Sequence, residues 1–147
     1  MPLKIRLMQS ADLEQVLSIQ NETGFQSWTL KQFQEEAELH YSLSIVAENK
    51  NQVAGYAVLH LMTDEAELLA IAVSPEIQRQ GIAQTLWDFA EKSLRKSHVR
   101  TCFLEVRPSN EKAKSFYLKN GFKIMGTRPR YYADGENALL MKMNLSP

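Results

Sequence analysis

The spacing of apolar residues changes several times along the chain of 147 residues, and each change predicts a new element. Alternating residues predict a short strand over 4–8. Apolar positions three and four residues apart then predict a helix, with Ser10 as its N-cap and Gly24 at its end. Thr29 is the predicted N-cap of a second helix, which continues to about Leu39. The apolar face of this second helix would hold Leu30, Phe33 and Ala37.

The middle of the chain is typical of antiparallel strands joined by tight turns. Residues 42–48 and 53–62 are the predicted strands of a hairpin, because both are apolar and the polar turn 49–51 separates them. A second turn at 63–64 leads into an apolar strand that ends at Val73. These hairpins predict antiparallel pairing.

The second half of the chain alternates between helical and extended patterns. The predicted elements are a helix over 82–96, a strand over 101–106, a helix from the cap Asn110 to the stop Asn120-Gly121, a strand over 122–125, a polar connection over 128–136 and a strand over 138–145. The strand, helix and strand between residues 68 and 106 imply a parallel pair. The whole order predicts an α/β chain in an α+β layout, with a central mixed, mostly antiparallel sheet flanked by helices on both faces.

The loop that follows the strand 68–73 carries the most informative residues. A proline ends the strand, and Gln78-Arg79-Gln80-Gly81-Ile82-Ala83 leads into the next helix. A strand, a glycine-containing turn and a helix start together aim backbone N–H groups at an anion, and Arg79 adds positive charge. The same residues also fit an ordinary loop in which Gly81 only eases the turn. The groove beyond the carboxyl ends of strands 68–73 and 101–106 is the expected ligand site.

Composition and charge narrow the possible classes of function. The chain has 17 basic and 17 acidic residues, which argues against a broad surface for nucleic acid or for a membrane. Its length and its 44% apolar content fit one globular domain over residues 1–147. No apolar run approaches the roughly 20 residues that cross a bilayer, and the first residues lack the apolar stretch of a secretory signal. We therefore expect a cytoplasmic protein without nucleic-acid or membrane partners.

The cysteine and histidine content argues against metal and disulfide chemistry. Cys102 is the single cysteine, and the three histidines are scattered along the chain. The thiol of Cys102 would allow a covalent acetyl-cysteine mechanism. Its position early in an apolar strand favours an inert, buried thiol instead.

These motifs together resemble the Gcn5-related N-acetyltransferase (GNAT) superfamily over essentially the full length. The segment 78–83 matches that superfamily's pyrophosphate-binding pattern, Arg/Gln-x-x-Gly-x-Gly/Ala. The closer resemblance is to the ribosomal-protein-alanine N-acetyltransferase branch. The matching segments are Ile71-Ala72-Val73, Gln78-Arg79-Gln80-Gly81, Leu104-Glu105-Val106-Arg107, Ser109-Asn110, Phe116-Tyr117, Asn120-Gly121-Phe122 and Tyr131-Tyr132. Each segment is short, and their joint order and spacing carry the resemblance.

The resemblance implies the GNAT fold, acetyl-CoA as the donor and a free amino group as the acceptor. The implied acceptor is the N-terminal alanine of a small-subunit ribosomal protein. By position, Glu105 would be the general base and Tyr117 the general acid, without a metal. The cofactor would be bound by Ile71, Ala72 and Val73 along its pantetheine arm, by Arg79, Gln80, Gly81, Ile82, Ala83 and Gln84 at its pyrophosphate, and by Asn110 near the thioester.

Each of these residues also has a purely structural interpretation. Glu105 at a strand end could form a surface salt bridge, and Tyr117 lies on an apolar helical stripe that is typical of a core. Asn110 is a sufficient helix cap without any ligand. Tyr131 and Tyr132 could line an acceptor groove or pack a loop.

The identity of the acceptor also stays open at this point. The branch often has Glu-Asp-Ala before the last strand, whereas this chain has Glu-Asn-Ala at 136–138, and the connection before it looks shorter. Lysine, a polyamine or another small amine are alternative acceptors, and an acidic pocket from Glu35, Glu36 and Glu38 would favour a polyamine. A CoA-binding regulatory module without turnover is the alternative outside the enzymes. The presence of both candidate catalytic residues argues against that module.

Overall fold

The computed structural model describes residues 3–24, 27–77 and 81–145. Its elements are β1 (Lys4–Leu7), α1 (Leu13–Thr23), α2 (Leu30–Glu36), β2 (Ser42–Asn49), β3 (Gln52–Met62), β4 (Glu65–Val73), α3 (Ile82–Lys96), β5 (Thr101–Val106), α4 (Glu111–Lys119), β6 (Lys123–Arg128) and β7 (Ala138–Asn144). Short 3₁₀ turns precede α1 and follow β4. The order of helices and strands predicted from the sequence is confirmed.

The seven strands form one sheet in the order β1-β2-β3-β4-β5-β7-β6. Only β4 and β5 pair in parallel among the described strands, and every other neighbouring pair is antiparallel. The parallel pair requires a crossover, which α3 provides. The prediction of a mixed, mostly antiparallel sheet is therefore confirmed.

Helices cover both faces of the sheet, as predicted. On one face, α1 and α2 pack on β2, β3 and β4 through a cluster that includes Val16, Phe33 and Tyr56. On the other face, α3 and α4 cover the sheet through a larger cluster that includes Leu86 and Tyr117. In the part of the chain that the structure describes, no helix is long and apolar enough to cross a membrane.

The parallel ladder between β4 and β5 is short, and the two strands are unpaired with each other beyond its end. Pairing begins at Glu65↔Thr101 and stops at Leu68↔Leu104, although β4 runs on to Val73. The second half of β4 stays paired with β3, and a bulge places one extra residue between Leu68 and Ala70. The carboxyl ends of β4 and β5 therefore border a gap rather than continue the ladder.

Gly55 lets β3 approach β4 closely beside this gap. It lies opposite Val73, and a Cβ atom at position 55 would come within 2.8 Å of the backbone oxygen of Ala72. The same atom would lie 3.2 Å from Cδ1 of Leu86 on α3. Only glycine fits this position without moving the end of β4.

The structure corrects two details of the N-terminal prediction. Ser10 is not an N-cap, because Gln9 occupies the cap position and the side chain of Asp12 accepts its backbone N–H at 2.7 Å. The cap at Thr29 is confirmed, since its side chain accepts from the N–H of Gln32 at 3.1 Å. However, α2 ends at Glu36 rather than near 39.

The predicted apolar face of α2 is also partly wrong, and α3 shows a similar exception to helical spacing. In α2, Phe33 is buried, but Leu30 is 44% exposed and Ala37 lies beyond the helix and is exposed. In α3, Phe89 is 38% exposed, while Trp87 is fully packed in the core. Helical spacing predicts that one face of a helix is apolar. It does not decide which residues at the edge of that face pack against the sheet.

Candidate active site

The last residues of β4 form one wall of the gap. Ile71, Ala72 and Val73 are paired with β3 on the side away from β5. Ile71 and Val73 pack toward the face covered by α3, and Ala72 packs toward the face covered by α1. A fixed, extended backbone next to an interrupted ladder suits an extended ligand that adds to the sheet edge.

The N-terminus of α3 lies directly after this wall. Gly81 is its N-cap and has a left-handed backbone with φ of +74°, which glycine adopts without strain. Among the described residues other than its chain neighbours, none has an atom within 4 Å of a Cβ built there, so the backbone angle, rather than crowding, favours glycine. The first turn of α3 contains no acidic residue. Its N–H groups and helix dipole therefore favour an anion.

The structure places the remaining predicted pyrophosphate residues in different environments. Ile82 is buried and Ala83 packs against the core, so their side chains hold the helix down. The side chain of Gln84 donates to the side-chain oxygen of Asn120 at 2.7 Å and thereby ties α3 to the end of α4. Any contact of these three residues with a pyrophosphate would thus come from backbone N–H groups. The predicted residues Gln78, Arg79 and Gln80 lie outside the described residues.

Asn110 caps α4, as its sequence context indicated. Its side-chain oxygen accepts from the N–H of Ala113 at 3.2 Å, and its backbone N–H donates to the carbonyl oxygen of Arg107 at 2.9 Å. The cap fixes the start of α4 just beyond the end of β5. This connection therefore borders the gap on the side opposite β4.

Glu105 projects from β5 at the level where the ladder with β4 has ended. Its Oε1 accepts a hydrogen bond from the hydroxyl of Tyr131 at 3.3 Å. Its Oε2 lies 3.8 Å from a guanidinium nitrogen of Arg128. Oε2 is buried and accepts no hydrogen bond from the described part of the chain. The carboxylate thus retains an acceptor atom that can take a proton.

A cleft of about 320 Å³ extends from Glu105 along the face of the sheet that α1 and α2 leave open. Its apolar lining includes Met62, Phe103, Met125 and Leu140, and its polar lining includes His60, Glu67, Glu105 and Arg128. Burial and the nearby charge of Glu105 raise the pKa of Glu67, while His60 and Arg128 lower it. The cleft thus combines an apolar floor with a few polar groups, as substrate sites commonly do.

Tyr117 packs on the face of the sheet that α3 and α4 cover, opposite the face that carries the cleft. It is 8% exposed and packs against the rings of Phe116 and Phe122, each with centroids 5.7 Å away. Burial raises its pKa, with smaller contributions from Tyr132 and Cys102. Tyr117 is therefore part of the core, as its helical stripe indicated, and its hydroxyl stays protonated at neutral pH.

Tyr132 links the surroundings of the two candidate catalytic groups. The charge of Glu105 adds to burial in raising the pKa of Tyr132, and Tyr132 in turn adds to the raised pKa of Tyr117. Its ring lies 5.0 Å from that of Tyr131, and the guanidinium of Arg107 stacks on its face at 4.0 Å. The structure thus brings residues from β5, α4 and the connection 129–137 to one place.

Several residues of this site were not singled out by the sequence. Glu65 and Glu67 are two residues apart at the start of an otherwise apolar strand, so they lie on the same face of the sheet. This pattern could have indicated that the face is not covered by a helix there. Gly55 and His60 gave no comparable signal. An acidic pocket from Glu35, Glu36 and Glu38 is not formed, because Glu36 is buried and lies 2.7 Å from Nε2 of His60 while the other two are exposed.

The thiol of Cys102 is fully buried, and burial raises its pKa to about 12. It therefore stays protonated and closed to solvent at neutral pH, as its position in an apolar strand indicated. Among residues 3–24, 27–77 and 81–145, no group of three or more His, Cys, Asp or Glu side chains is placed to hold a metal ion.

Comparison with known proteins gives this geometry a context. Residues 13–122 match the model of the acetyltransferase (GNAT) family. The chain is 33% identical to a [ribosomal protein bS18]-alanine N-acetyltransferase of Escherichia coli (strain K12), over 97% of each chain.

Two crystal structures are similar over nearly the whole chain. Ard1 from Thermoplasma volcanium has a TM-score of 0.94 at 27% identity and covers 100% of both chains. PaiA N-acetyltransferase from Thermoplasma acidophilum, in complex with coenzyme A, has a TM-score of 0.81 at 25% identity, covering 98% of this chain and 99% of that one. With the family match over most of its length, the chain belongs to the acetyltransferase (GNAT) family and is an acetyl-CoA-dependent N-acetyltransferase.

Proposed function

We propose that this enzyme acetylates the N-terminal α-amino group of a protein, and that its acceptor is the N-terminal alanine of a small-subunit ribosomal protein. The observation that carries the proposal is Glu105 at the end of the β4–β5 ladder, whose Oε2 is buried and accepts no hydrogen bond from the described residues. The similarity to an enzyme named for alanine acetylation of ribosomal protein bS18 supports the choice of acceptor.

Three groups of residues support the binding of acetyl-CoA at the gap. Ile71, Ala72 and Val73 offer the backbone of a strand end where the β5 ladder has stopped. Beyond them, the first turn of α3 offers N–H groups to the pyrophosphate, and we assign this role to the loop and helix start 79–84. Asn110 lies at the opposite border of the gap, where we place the thioester end. Bound acetyl-CoA supplies an activated acetyl group and leaves as a thiol.

Glu105 is suited to an α-amine rather than to a lysine side chain. An amine reacts only when neutral, and an α-amino group has a pKa of about 7.7–8.0 against about 10.4 for lysine. A carboxylate can therefore remove the proton of an α-amine near neutral pH, either directly or through a water. In the proposed mechanism, Oε2 of Glu105 takes this proton as the amine nitrogen forms the new amide bond.

Tyr117 supplies the second proton transfer of the proposed mechanism. The carbon–sulfur bond breaks with its electron pair on sulfur, and the hydroxyl of Tyr117 donates a proton there. The pKa of Tyr117 is raised by burial, so the hydroxyl holds its proton at neutral pH. Its location in the core fixes its position relative to the gap. Acetyl transfer is then direct, and the buried thiol of Cys102 takes no part.

We further propose that residues 1–147 act as one domain in the cytoplasm, without nucleic-acid or membrane partners. One sheet joins the described residues from β1 to β7, and helices on its two faces share that sheet. The balance of 17 basic and 17 acidic residues supports the absence of a nucleic-acid surface.

The test is intact-mass analysis of an alanine-initiated peptide with blocked lysines, incubated with the enzyme and acetyl-CoA. The expected result is the gain of one acetyl group, which Glu105→Gln slows by about 10²- to 10³-fold at pH 7 while still binding acetyl-CoA. Glu91→Gln is the matched control, because Glu91 is a similarly half-buried carboxylate that pairs with Arg95 on α3. Spermidine as a competing acceptor distinguishes a polyamine enzyme. No acetylation of the peptide by an enzyme that binds acetyl-CoA would contradict the proposed acceptor.

A further inference from the structure

Arg107 occupies a special position relative to Glu105. It follows the last residue of β5, two positions after Glu105, and the intervening Val106 points into the core. Side chains two residues apart on an extended chain lie on the same side. Glu105 and Arg107 therefore both face the connection 129–137 between β6 and β7.

Two carboxylates of this connection hold Arg107 in place. Nη1 of Arg107 donates to Oδ2 of Asp134 at 2.8 Å and to Oε1 of Glu136 at 3.1 Å. Glu136 also accepts from the backbone N–H of Ser109 at 2.8 Å and from its hydroxyl at 3.0 Å. Four hydrogen bonds from Arg107 and Ser109, which lie between β5 and α4, thus hold the connection 129–137.

A second path leads from Arg107 back to Glu105 through the tyrosine pair. The guanidinium carbon of Arg107 lies 4.0 Å from the ring centroid of Tyr132, a distance typical of a cation–π contact. Tyr132 packs edge to face against Tyr131, and the hydroxyl of Tyr131 donates to Oε1 of Glu105. Arg107 and Glu105 therefore dock Tyr132 and Tyr131 respectively, at two neighbouring points.

We infer that Arg107 is a positioning residue for acetyl transfer, which holds the connection 129–137 so that Tyr131 orients the carboxylate of Glu105 toward the acceptor amine. We name Arg107, Tyr132, Asp134 and Glu136 the Arg107 clamp. The inference deepens the proposed function and rests on it, since it assigns the clamp to the acceptor side of the same site. Arginine suits this role because its planar fork can bind a carboxylate and stack on a ring at once.

The test compares Arg107→Ala with the matched control Arg6→Ala. Arg6 has a side-chain exposure of 23% against 22% for Arg107, and it also binds two carboxylates, Asp12 and Glu48, each at 2.8 Å. It lies on β1, far from the gap in the strand order. Arg107→Ala should raise the KM of the acceptor peptide and lower kcat, together by about 10- to 100-fold in kcat/KM, because displaced catalytic groups lose their alignment. The KM of acetyl-CoA should change less than about twofold.

Arg6→Ala should change neither kcat nor the KM of the peptide or of acetyl-CoA, although this variant also loses two ion pairs. Arg107→Lys should restore part of the loss, because the charge remains while the fork and the stacked plane are lost. A peptide kcat/KM within about twofold of wild type in Arg107→Ala would overturn the inference. Equal increases in the KM of both substrates would also overturn it, since they would indicate a general distortion.

Amide hydrogen exchange of the connection 129–137 separates this inference from the proposed function. In the wild type, the N–H of Tyr132 donates to the carbonyl of Glu136 and the N–H of Gly135 donates to the carbonyl of Tyr132. Arg107→Ala should accelerate exchange at both amides by about tenfold or more, whatever the acceptor is. Unchanged exchange would overturn the clamp. A wild-type enzyme inactive on the peptide would refute the proposed acceptor, and the exchange rates would then decide the clamp by themselves.

Discussion

The two sides of the gap between β4 and β5 are built from different parts of the chain. The proposed donor side consists of the backbone of the β4 end and of the first turn of α3, which is the next helix along the chain. The proposed acceptor side consists of side chains that β5 shares with the connection 129–137. A backbone site can bind one constant cofactor whatever its side chains are, whereas a side-chain site can be adapted to a particular acceptor. The difference indicates that donor chemistry and acceptor choice can change independently in this fold.

The strongest way to test this separation is Glu105→Gln. The substitution should lower kcat by about 10²- to 10³-fold at pH 7 and leave the affinity for acetyl-CoA unchanged, because it removes only the base. An α-amine with a pKa near 8 is only about one-tenth neutral at pH 7 and largely neutral at pH 9. The defect should therefore shrink by up to about tenfold as the pH rises from about 7 to about 9, which steady-state kinetics would measure. A defect that does not depend on pH would argue that Glu105 has another role.

Tyr117→Phe should have a smaller effect and no preference for either side of the gap. A thiol has a pKa of about 8.5, so the leaving thiolate is weakly basic and gains little from a proton donor. We expect kcat to fall by about tenfold, at the low end for acid catalysis, with both KM values nearly unchanged. Phe122→Leu is a suitable control, because it alters the packing around Tyr117 and keeps the hydroxyl. An equal loss in both variants would show that Tyr117 acts only through packing.

Gly55→Ala should affect the donor side alone. The added methyl group would lie 2.8 Å from the carbonyl oxygen of Ala72, so β4 must shift where we place the pantetheine arm. Overpacking of this kind costs about 1–3 kcal/mol in free energy of unfolding. If about half of that strain is felt on binding, the KM of acetyl-CoA rises by about two- to tenfold. The KM of the peptide should stay within about twofold.

Gly126→Ala provides the matched control for this prediction. Gly126 also lies in a strand, but a Cβ atom added there would lie 3.9 Å from Cδ1 of Leu140, which is an ordinary contact distance. Both KM values should stay close to wild type in this variant. A larger effect of Gly55→Ala on the peptide than on acetyl-CoA would break the proposed separation of the two sides.

The sequence was sufficient to predict the elements of the proposed donor side because their determinants are local. The strand ending at Val73, the glycine at 81 and the helix beginning at Ile82 were all predicted, and the structure places them as expected. Periodicity and a turn motif depend only on neighbouring residues. Even here, Gly55 was missed, because its close approach to Ala72 depends on which strand lies beside it.

The acceptor side could be predicted only through the family resemblance. The hydrogen bond from Tyr131 to Glu105 and the bonds from Ser109 to Glu136 each join residues more than 25 positions apart. No local pattern specifies such contacts, since they follow from the β5–β7–β6 strand order. The same limit explains why the acidic residues near the end of α2 suggested a pocket, whereas Glu36 is in fact buried against His60.

Cys102→Ala should have the smallest effect on turnover. It should change the pH dependence of stability, which depends on the core, and leave the activity of the site unchanged. Burial raises the pKa of Cys102 from its ordinary value of 9.0 to about 12. Above pH 9 the unfolded chain loses this proton while the folded chain keeps it, so this contribution to stability is complete below pH 9. It is then lost at about 1.4 kcal/mol per pH unit as the pH rises toward 12. Urea unfolding of the wild type at about pH 8, 8.5, 9 and 9.5 should show the loss begin, below the ordinary pKa of tyrosine of about 10, and Cys102→Ala should lose less stability over the same range. The kcat of Cys102→Ala should equal that of the wild type, because a thiol held protonated in the core cannot carry an acetyl group. A folded but inactive variant would instead support an acetyl-cysteine mechanism. Glu105 would then no longer be the base for the amine.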